Sequence, residues 1–402
     1  MQRTWRRNLR AVWAGELLAI MGFAAFGPIL PYYVEYLGVT GDAVATWAGV
    51  TSALPSLAMA IMGPIWGALS DRHGRKVMVE RAMFGGCALT LLMSFVQSVE
   101  QLAVLRFIQG GLTGTVAAST TLVAGMTPED RLGETLGKLQ LAIFLGVTVG
   151  PLFGGFAADT FGYRAVFWMT SVFLLIGGLI ILLGVKEDFE PVPVEDREPF
   201  WRNIGSDLNF AFTQSLLGLV LMVHFAMRVG RRFPTPILPL FVEELLPGSE
   251  TLGSASGLLT TIIGGAGAIS SPLLGRFADR YGGRPVLLAC TLVGGAALIG
   301  QGMAGSYTML LITQVLLGLV IGGILATVSA YVGRAVPQER SGMAYGLDTT
   351  AVALANSAGP FVGGWLARWF TLRTPFLMGG VLMLLASAGV LRLPRKSPDE
   401  TE

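Results

Sequence analysis

The chain has 402 residues, of which 52% are hydrophobic and 13% are charged, and its mean hydropathy is +0.63. Soluble domains carry roughly 25% charged residues, so this composition predicts an integral membrane protein. The net charge of +2 is too small to indicate a nucleic-acid partner, and Cys87 and Cys290 lie inside apolar runs, which argues against a disulfide framework or a metal site.

Twelve apolar runs follow one another along the chain, and each is long enough for a hydrocarbon core that takes ~20 helical residues. The first run follows a basic segment, residues 1–10, and is too long for the h-region of a secretory signal, which has about 7–15 residues. It is therefore a predicted first span. The other runs lie near residues 44–70, 78–97, 102–124, 138–159, 165–184, 212–244, 251–275, 286–304, 307–331, 343–366 and 375–392. The sequence thus predicts an all-α protein with twelve transmembrane helices.

Basic residues are unevenly distributed between the two sides of the predicted membrane. The loops opposite the N-terminus hold Asp42, Glu100 and Glu250 and no lysine. Excess positive charge marks the cytoplasmic side, so both termini are predicted to be cytoplasmic, in a multi-pass protein of the cell (inner) membrane. The basic residues on the side of the N-terminus are Arg72, Arg75, Lys76, Arg131, Lys138, Lys186, Arg197, Arg202, Arg276, Arg280, Arg284, Arg334, Arg340, Arg392, Arg395 and Lys396.

A polar segment and a repeated motif divide the chain into two halves. Residues 185–211, rich in proline and acids, are a predicted cytoplasmic linker between residues 1–184 and 212–402. A charged, glycine-marked turn occurs at residues 67–76 (GALSDRHGRK) and returns 208 positions later at residues 275–284 (GRFADRYGGR). Repeats of matching topology are typical of secondary transporters, which build a site near the bilayer midplane and rock around it. The repeat predicts two pseudo-symmetric six-helix bundles.

The turn combines three physical features. Gly67 and its equivalent in the second copy would let a helix end pass close to a neighbour, and Gly74 would supply a sharp reversal. The Asp71 carboxylate can lie beside the positive N-terminus of another helix. A generic basic loop is the alternative, which two copies in register argue against. Residues 67–76 resemble the signature between the second and third spans of the major facilitator superfamily, and the resemblance implies that fold.

The same turn suggests a conformational latch. Asp71, with Arg72 and Arg75, is predicted to hold the cytoplasmic ends of the two halves together in the outward-open state. The second copy keeps Asp279 and Arg280 but has glycine where the first has Arg75. The first latch is therefore expected to dominate.

Arg106 lies inside the fourth predicted span. An arginine in the membrane costs at least ~2.5–3.5 kcal/mol unless it is paired or hydrated, so it is a functional candidate. The equivalent residue of the second half is Gln314, so the first half alone keeps the charge. The segment resembles the arginine motif of the superfamily's fourth span, which implies a role in proton coupling. Snorkelling to the outer interface is the alternative.

The fifth predicted span carries a stripe of small residues. Gly146, Gly150 and Gly154 recur every four residues and would let another helix approach, and Pro151 removes a backbone donor and bends the helix. With Gly155 they form Gly-x-x-x-Gly-Pro-x-x-Gly-Gly, which resembles the motif that marks drug/proton antiporters within the superfamily, as opposed to symporters. Close packing alone is the alternative.

Three titratable residues lie within predicted spans: Glu16, His224 and Asp348. Glu16 and His224 occupy equivalent positions of the repeat, 208 apart. An acid in low-dielectric surroundings and a histidine can both load and release protons near neutral pH. Some drug/proton antiporters of the superfamily use an acid in the first span, which favours Glu16. The alternatives are snorkelling or arginine pairing for Glu16, and hydrogen-bonded packing for His224.

The seventh span carries Arg228, Arg231 and Arg232 on the same helical face as His224. Such deep charges should face a water-filled cavity, where they would favour anionic or zwitterionic substrates unless the embedded acids neutralise them. Aromatic, Met and polar side chains that accept varied shapes are predicted to complete the cavity wall, although each is individually more typical of helix packing. They are Phe23, Phe26, Tyr32, Tyr33, Gln140, Phe144, Met222, Phe225 and Met227.

Three functions are compatible with these patterns. The first is a proton-coupled antiporter that exports small amphipathic molecules or drugs, and the resemblance to twelve-span drug/proton antiporters covers about residues 11–392. The second keeps the fold but exports anionic metabolites, sugars or lipids, or works as a symporter or uniporter. A polytopic enzyme is disfavoured because the sequence has no catalytic Ser/His/Asp set, zinc-binding helix motif or phosphate-cradling loop. No cofactor is predicted, a proton gradient is the predicted driving force, and nothing requires more than a monomer.

Overall fold

The structure, a computed structural model, describes residues 2–187, 215–336 and 341–394. Across these ranges the chain forms α-helices, one 3₁₀ turn and no strand. The helices are α1 (Gln2–Ala25), α2 (Leu30–Tyr36), α3 (Ala43–His73), α4 (Arg75–Met93), α5 (Val99–Leu112), α6 (Thr115–Met126), α7 (Leu132–Phe161), α8 (Tyr163–Gly184), α9 (Ser215–Arg232), α10 (Leu238–Leu245), α11 (Leu252–Tyr281), α12 (Gly283–Gly302), α13 (Tyr307–Arg334), α14 (Ser341–Trp369) and α15 (Thr374–Val390).

Each of the twelve predicted spans corresponds to one helix or to a broken pair of helices. The pairs are α1 with α2, α5 with α6, and α9 with α10. Prolines interrupt the first and third pairs, and Gly114, with φ of 149°, separates α5 from α6. The first pair is bent by 53°. These breaks place irregular backbone inside spans, which membranes tolerate only where protein or water satisfies the freed groups.

Length and apolarity alone identify fewer spans than the repeat does. Of the described helices, six meet both criteria, and the α1–α2 pair taken as one span makes a seventh. The remaining helices are shorter or more polar. For example, α4 carries Arg75, Lys76, Glu80 and Arg81 within its first two turns.

The helices group into two compact units. Unit 1 comprises Met1–Glu195 with Gly248–Thr261, and unit 2 comprises Asp196–Pro247 with Ile262–Glu402. Helix α11 therefore begins in unit 1 and continues in unit 2. Most of the predicted linker lies outside the described residues, so its boundaries stay predictions.

The core of unit 1 forms around α1. Its buried apolar side chains, among them Val12 and Ala19, pack with those of α4, α6, α7 and α8. Near the other end of the span, the ring of Phe167 lies 5.0 Å from that of Phe26 and 4.6 Å from that of Tyr33. The Tyr33 hydroxyl donates a hydrogen bond to the Met93 carbonyl over 2.8 Å, so the polar end of this packed aromatic side chain has a partner.

The core of unit 2 forms around α9, α12, α13 and α15. Leu217, Leu287, Val332 and Met383 are almost completely buried within one large apolar cluster. The charged face of α9 is directed away from this cluster, because apolar and basic residues alternate with helical periodicity along the helix.

The repeated turns behave only in part as predicted. Gly74 and Gly282 have φ of 97° and 90°, in the left-handed region, which confirms the sharp reversal. The close approach expected at Gly67 and Gly275 is wrong, since a Cβ at either position would meet no heavy atom within 4 Å.

Candidate functional site

Glu16 lies at the centre of unit 1 and is completely buried. Its Oε2 accepts a hydrogen bond from the Ser119 hydroxyl on α6 over 2.7 Å, and its Oε1 has no partner. The side chain thus neither snorkels to an interface nor pairs with an arginine of the described residues. A completely buried acid whose described partners are neutral is costly as a carboxylate and less costly as a neutral carboxylic acid.

The equivalent position of unit 2 carries a linear arrangement of three titratable groups. His224, which is 3% exposed, lies between Asp348 of α14 and Arg228. The Nδ1 of His224 is 2.6 Å from Asp348 Oδ1, and the Nε2 of His224 is 3.0 Å from Arg228 Nε. A guanidinium N–H can only donate, so Nε2 accepts and the single imidazole proton resides on Nδ1, directed at the Asp348 carboxylate. A second proton on Nε2 would face the Arg228 N–H and break that contact.

The rest of the basic face of α9 is less fully paired. Arg232 Nε donates to the Asn356 side-chain oxygen over 2.9 Å. Arg231, by contrast, makes no hydrogen bond or ion pair with any residue that the structure describes. The embedded acid Asp348 therefore neutralises one end of the stripe, through His224, and leaves the other end with a free cation.

Arg106 is held by neutral acceptors inside unit 1. Its Nε donates to the Thr51 carbonyl over 3.1 Å, and its Nη1 donates to the Gln109 side-chain oxygen over 2.8 Å. Its guanidinium carbon lies 5.6 Å from the centre of the Phe26 ring. Among the described contacts none joins Arg106 to Glu16, so the structure does not bring these two predicted coupling residues together.

The glycine stripe of α7 packs against α1 at backbone distance. A Cβ at Gly146 would lie 2.8 Å from Ile20, and one at Gly150 or Gly154 would overlap a carbonyl oxygen of α1. Small residues therefore remove the side chains that would keep the two backbones apart. Pro151 lies inside α7 without ending it.

The other face of the same stripe packs against the beginning of α11, within unit 1. A Cβ at Gly155 would overlap the Gly253 backbone. One turn further along α7, Asp159 accepts hydrogen bonds from the Gly253 N–H over 2.9 Å and the Ser254 N–H over 2.7 Å. The carboxylate thus satisfies the positive N-terminus of α11. Sequence reasoning missed Asp159, because its partner is distant in the chain.

A second acid missed by the sequence analysis lies at the turn between α3 and α4. Glu187 accepts hydrogen bonds from the Arg75 N–H over 3.0 Å and the Lys76 N–H over 2.8 Å, so it caps the N-terminus of α4. The side chains of Asp71 and Arg72 lie outside the described part of the structure, whereas Asp279 and Arg280 are exposed. The predicted latch stays a prediction.

The residues predicted to form the cavity wall have different surroundings. Phe26, Tyr32 and Tyr33 are buried, and the Tyr32 hydroxyl lies 3.1 Å from the Ser256 hydroxyl. Met227 is also buried, in the core of unit 2, whereas Met222 is 63% exposed. The remaining residues of this set are half-buried (Phe23 and Phe144) or exposed (Gln140 and Phe225).

The comparisons with known proteins identify the family. The model of the Major Facilitator Superfamily matches residues 12–246 and 220–402, which together cover nearly the whole chain. The chain belongs to the major facilitator superfamily. The two overlapping matches agree with the internal repeat. Membership establishes a multi-pass membrane protein with the helical fold of this superfamily. Such a protein lies in the lipid bilayer and acts on a small-molecule substrate.

Curated relatives are similar over almost their full length. The chain is 33% identical to "Multidrug resistance protein MdtG" of Dickeya zeae, covering 98% of this chain and 97% of the relative. It is 32% identical to the protein of the same name from Enterobacter lignolyticus, covering 94% and 90%. Among solved structures, the nucleoside transporter NupG aligns with a TM-score of 0.80 at 12% identity, over 96% of this chain and 99% of that chain, which shows the shared fold.

Proposed function

We propose that this protein is a proton-coupled exporter of small amphipathic molecules or drugs, which works as a monomer in the inner membrane with both termini in the cytoplasm. The curated relatives named as multidrug resistance proteins support the export of drugs. The family is one of transporters, which disfavours a polytopic enzyme. The orientation is supported by the concentration of basic residues in the loops on the side of the N-terminus.

The observation that carries proton coupling is the environment of Glu16. Its carboxyl group is fully buried, accepts a hydrogen bond from the neutral Ser119 hydroxyl, and has no cationic partner among the described residues. When the group is protonated, the packed interior holds no net charge at this position. When it loses the proton, the carboxylate demands water or a cation, and a conformation that hydrates α1 becomes favourable. Proton loading at Glu16 therefore biases which side of the membrane has access.

The arrangement in unit 2 offers a second proton-sensitive element. Protonating His224 on Nε2 forces Arg228 away, which frees a guanidinium on the face that also carries Arg231. In this mechanism Asp348 holds the imidazole orientation and stabilises its cationic form. We assign primary coupling to Glu16, because its carboxylate would have no cationic partner among the described residues, and a modulating role to His224.

The test is gradient-driven efflux of a lipophilic cationic dye in proteoliposomes, for wild type, Glu16→Gln and the control Glu134→Gln. Glu134 is an exposed acid at the beginning of α7, paired with Lys138. Loss of at least tenfold in gradient-dependent transport for Glu16→Gln alone supports the proposal. If transport survives in Glu16→Gln, the proton site moves to Asp348 or His224. If wild type shows no dependence on the gradient, proton coupling is wrong.

A second candidate, export of anionic molecules, is favoured by the unpaired Arg231. A guanidinium in this position is suited to bind carboxylate or phosphate groups and disfavours cations. Replacing Arg231 with glutamine should reduce efflux of an anionic fluorescein-type dye at least fivefold, whereas the exposed control Arg368→Gln should change it less than twofold. Efflux of only the cationic dye, undiminished in Arg231→Gln, would exclude this candidate.

A further inference from the structure

Unit 1 contains a cavity of about 170 Å³ that the transport proposal does not use. It lies where the second half of α3, the first two turns of α4 and the break between α5 and α6 meet. Drug-sized ligands occupy pockets of roughly 300–1,000 Å³, so this cavity suits a group the size of a single headgroup. Its lining residues include Met59, Trp66, Ser70, Arg75, Met78 and Arg81.

Two arginines in this lining form no ion pair with any acid whose side chain the structure describes. Arg81 lies over the Trp66 ring, with its guanidinium carbon 3.5 Å from the ring centre. Its Nη1 donates to the Met78 sulfur over 3.6 Å, whereas its buried Nε has no hydrogen-bond partner among the described residues. The side chain of Arg75 makes no hydrogen bond or ion pair with the described part of the chain. Trp66 is itself fixed by a 2.6 Å hydrogen bond from its Nε1 to the Gly111 carbonyl. The indole thus holds Arg81 in place without neutralising it.

A buried hydroxyl adds a third unsatisfied group. Ser70 is 8% exposed, lines the same cavity, and its Oγ has no partner. Unpaired buried polar atoms are rare in folded proteins, because each loses its hydrogen bonds to water without gaining new ones. Two such atoms, on Ser70 and Arg81, lie beside the Arg75 guanidinium, which has no described partner, and together they form a donor-rich pocket. Its chemistry fits an anion with several acceptor oxygens.

The repeat shows that the fold itself does not require this pocket. The positions of unit 2 equivalent to Trp66, Arg75 and Arg81 hold Leu274, Gly283 and Ala289, 208 residues later. There the space is filled by apolar packing, since a Cβ at Gly323 would lie 2.7 Å from both Leu274 and Cys290. At this place in the architecture, unit 1 therefore has an indole and two cations where unit 2 has an apolar contact.

We propose that this cavity binds a phosphate group, carried either by the headgroup of an anionic phospholipid or by a soluble phosphate. Two guanidinium groups and a hydroxyl match the oxygens of a phosphate, and the methionine side chains offer apolar surface next to it. The cavity lies beside the basic turn at residues 72–76. Basic pockets between spans at the cytoplasmic side are suited to anionic lipid headgroups.

The experiment measures lipid binding to the purified full-length protein by native mass spectrometry, with dioleoylphosphatidylglycerol and dioleoylphosphatidylcholine as probes. Wild type should bind the anionic lipid at least tenfold more tightly than the neutral one. Arg81→Gln and Arg75→Gln should each reduce that preference at least fivefold. The matched control Arg131→Gln removes a half-exposed arginine outside the cavity, paired with Glu134, and should change the preference less than twofold.

A variant that leaves the arginines intact distinguishes loss of the binding site from misfolding of the arginine variants. Gly63 lines the cavity, and a Cβ there would meet no atom within 4 Å, so Gly63→Leu should fold and fill the space. It should abolish the lipid preference. Displacement of the anionic lipid by millimolar inorganic phosphate would identify a soluble phosphate as the ligand. Equal binding of both lipids without any stabilisation by phosphate, or an equal loss in Arg131→Gln, would overturn the proposal.

Discussion

The two halves of the molecule place different chemistry at the same position of the repeat. In unit 1 this position is Glu16, which accepts a hydrogen bond from the Ser119 hydroxyl and has no charged partner among the described residues. In unit 2 it is His224, held between the Asp348 carboxylate and the Arg228 guanidinium. Each arrangement gains one unit of positive charge when it takes up a proton. Among the described residues, Glu16 has no charged partner beside it, whereas His224 has the Asp348 carboxylate on one side and the Arg228 guanidinium on the other. Duplicated architecture thus leaves each half free to respond to protons in its own way.

A second pair of equivalent positions shows the same asymmetry. Arg106 in unit 1 donates to a backbone carbonyl and to an amide oxygen. Its counterpart Gln314 accepts a 2.9 Å hydrogen bond from Gln301, and both glutamines are buried. Unit 1 therefore keeps a charge where unit 2 has a neutral, self-contained pair. At this pair of equivalent positions, only unit 1 has a charged residue within a span.

The helix contacts that both halves share should give the largest effect when they are broken. Gly154→Val would push a side chain into the Ala25 carbonyl, and Gly363→Val would do the same to the Phe233 carbonyl. Each should destabilise the protein by about 1–3 kcal/mol or more and reduce the yield of monodisperse protein. Gly133→Val, whose Cβ would meet nothing, is the control. Thermal unfolding in detergent measures the difference, and equal stability of Gly154→Val and the control would contradict the packing described here.

Neutral substitutions should separate the two titratable sites. Glu16→Gln replaces an acid that has no cationic partner, so the stability should be unchanged or higher. Asp348→Asn leaves His224 and Arg228 without their anion, and should lower the free energy of unfolding by about 1–3 kcal/mol. Chemical or thermal unfolding at neutral pH compares them, with Glu134→Gln as the reference. If Glu16→Gln were instead less stable than Asp348→Asn, the Glu16 charge would have a compensating partner and the Asp348 charge would not be needed for stability.

The smallest predicted difference concerns the repeated turns. If the first turn provides the dominant latch, Asp71→Asn should reduce turnover about tenfold with substrate binding retained, and Asp279→Asn should reduce it less than threefold. The reason is that the second copy lacks the arginine at the position of Arg75. Transport rates and dye binding, measured on the same preparations, test this. Normal turnover of Asp71→Asn would contradict the latch hypothesis.

The fold was accessible from the sequence because its signals are long and repeated. Apolar runs and the 208-residue repeat were sufficient to predict twelve spans, and each run is matched by a helix or by a broken pair. The glycine stripe of α7 likewise marked a close helix contact. The role of Gly67 was predicted wrongly, since a glycine in a motif does not say whether the structure uses its small size or its backbone freedom.

The sequence by itself determined which residues are present in the membrane and at what spacing, because periodicity and charge are local properties. It identified Glu16, Arg106, His224 and Asp348 as candidates without their partners. Only the tertiary structure decided that Asp348 binds His224, that Glu16 faces Ser119, that Asp159 caps α11, and that Arg81 Nε has no acceptor among the described residues. These contacts join helices distant in sequence, and the charge state of a buried group depends on which neighbours packing brings to it.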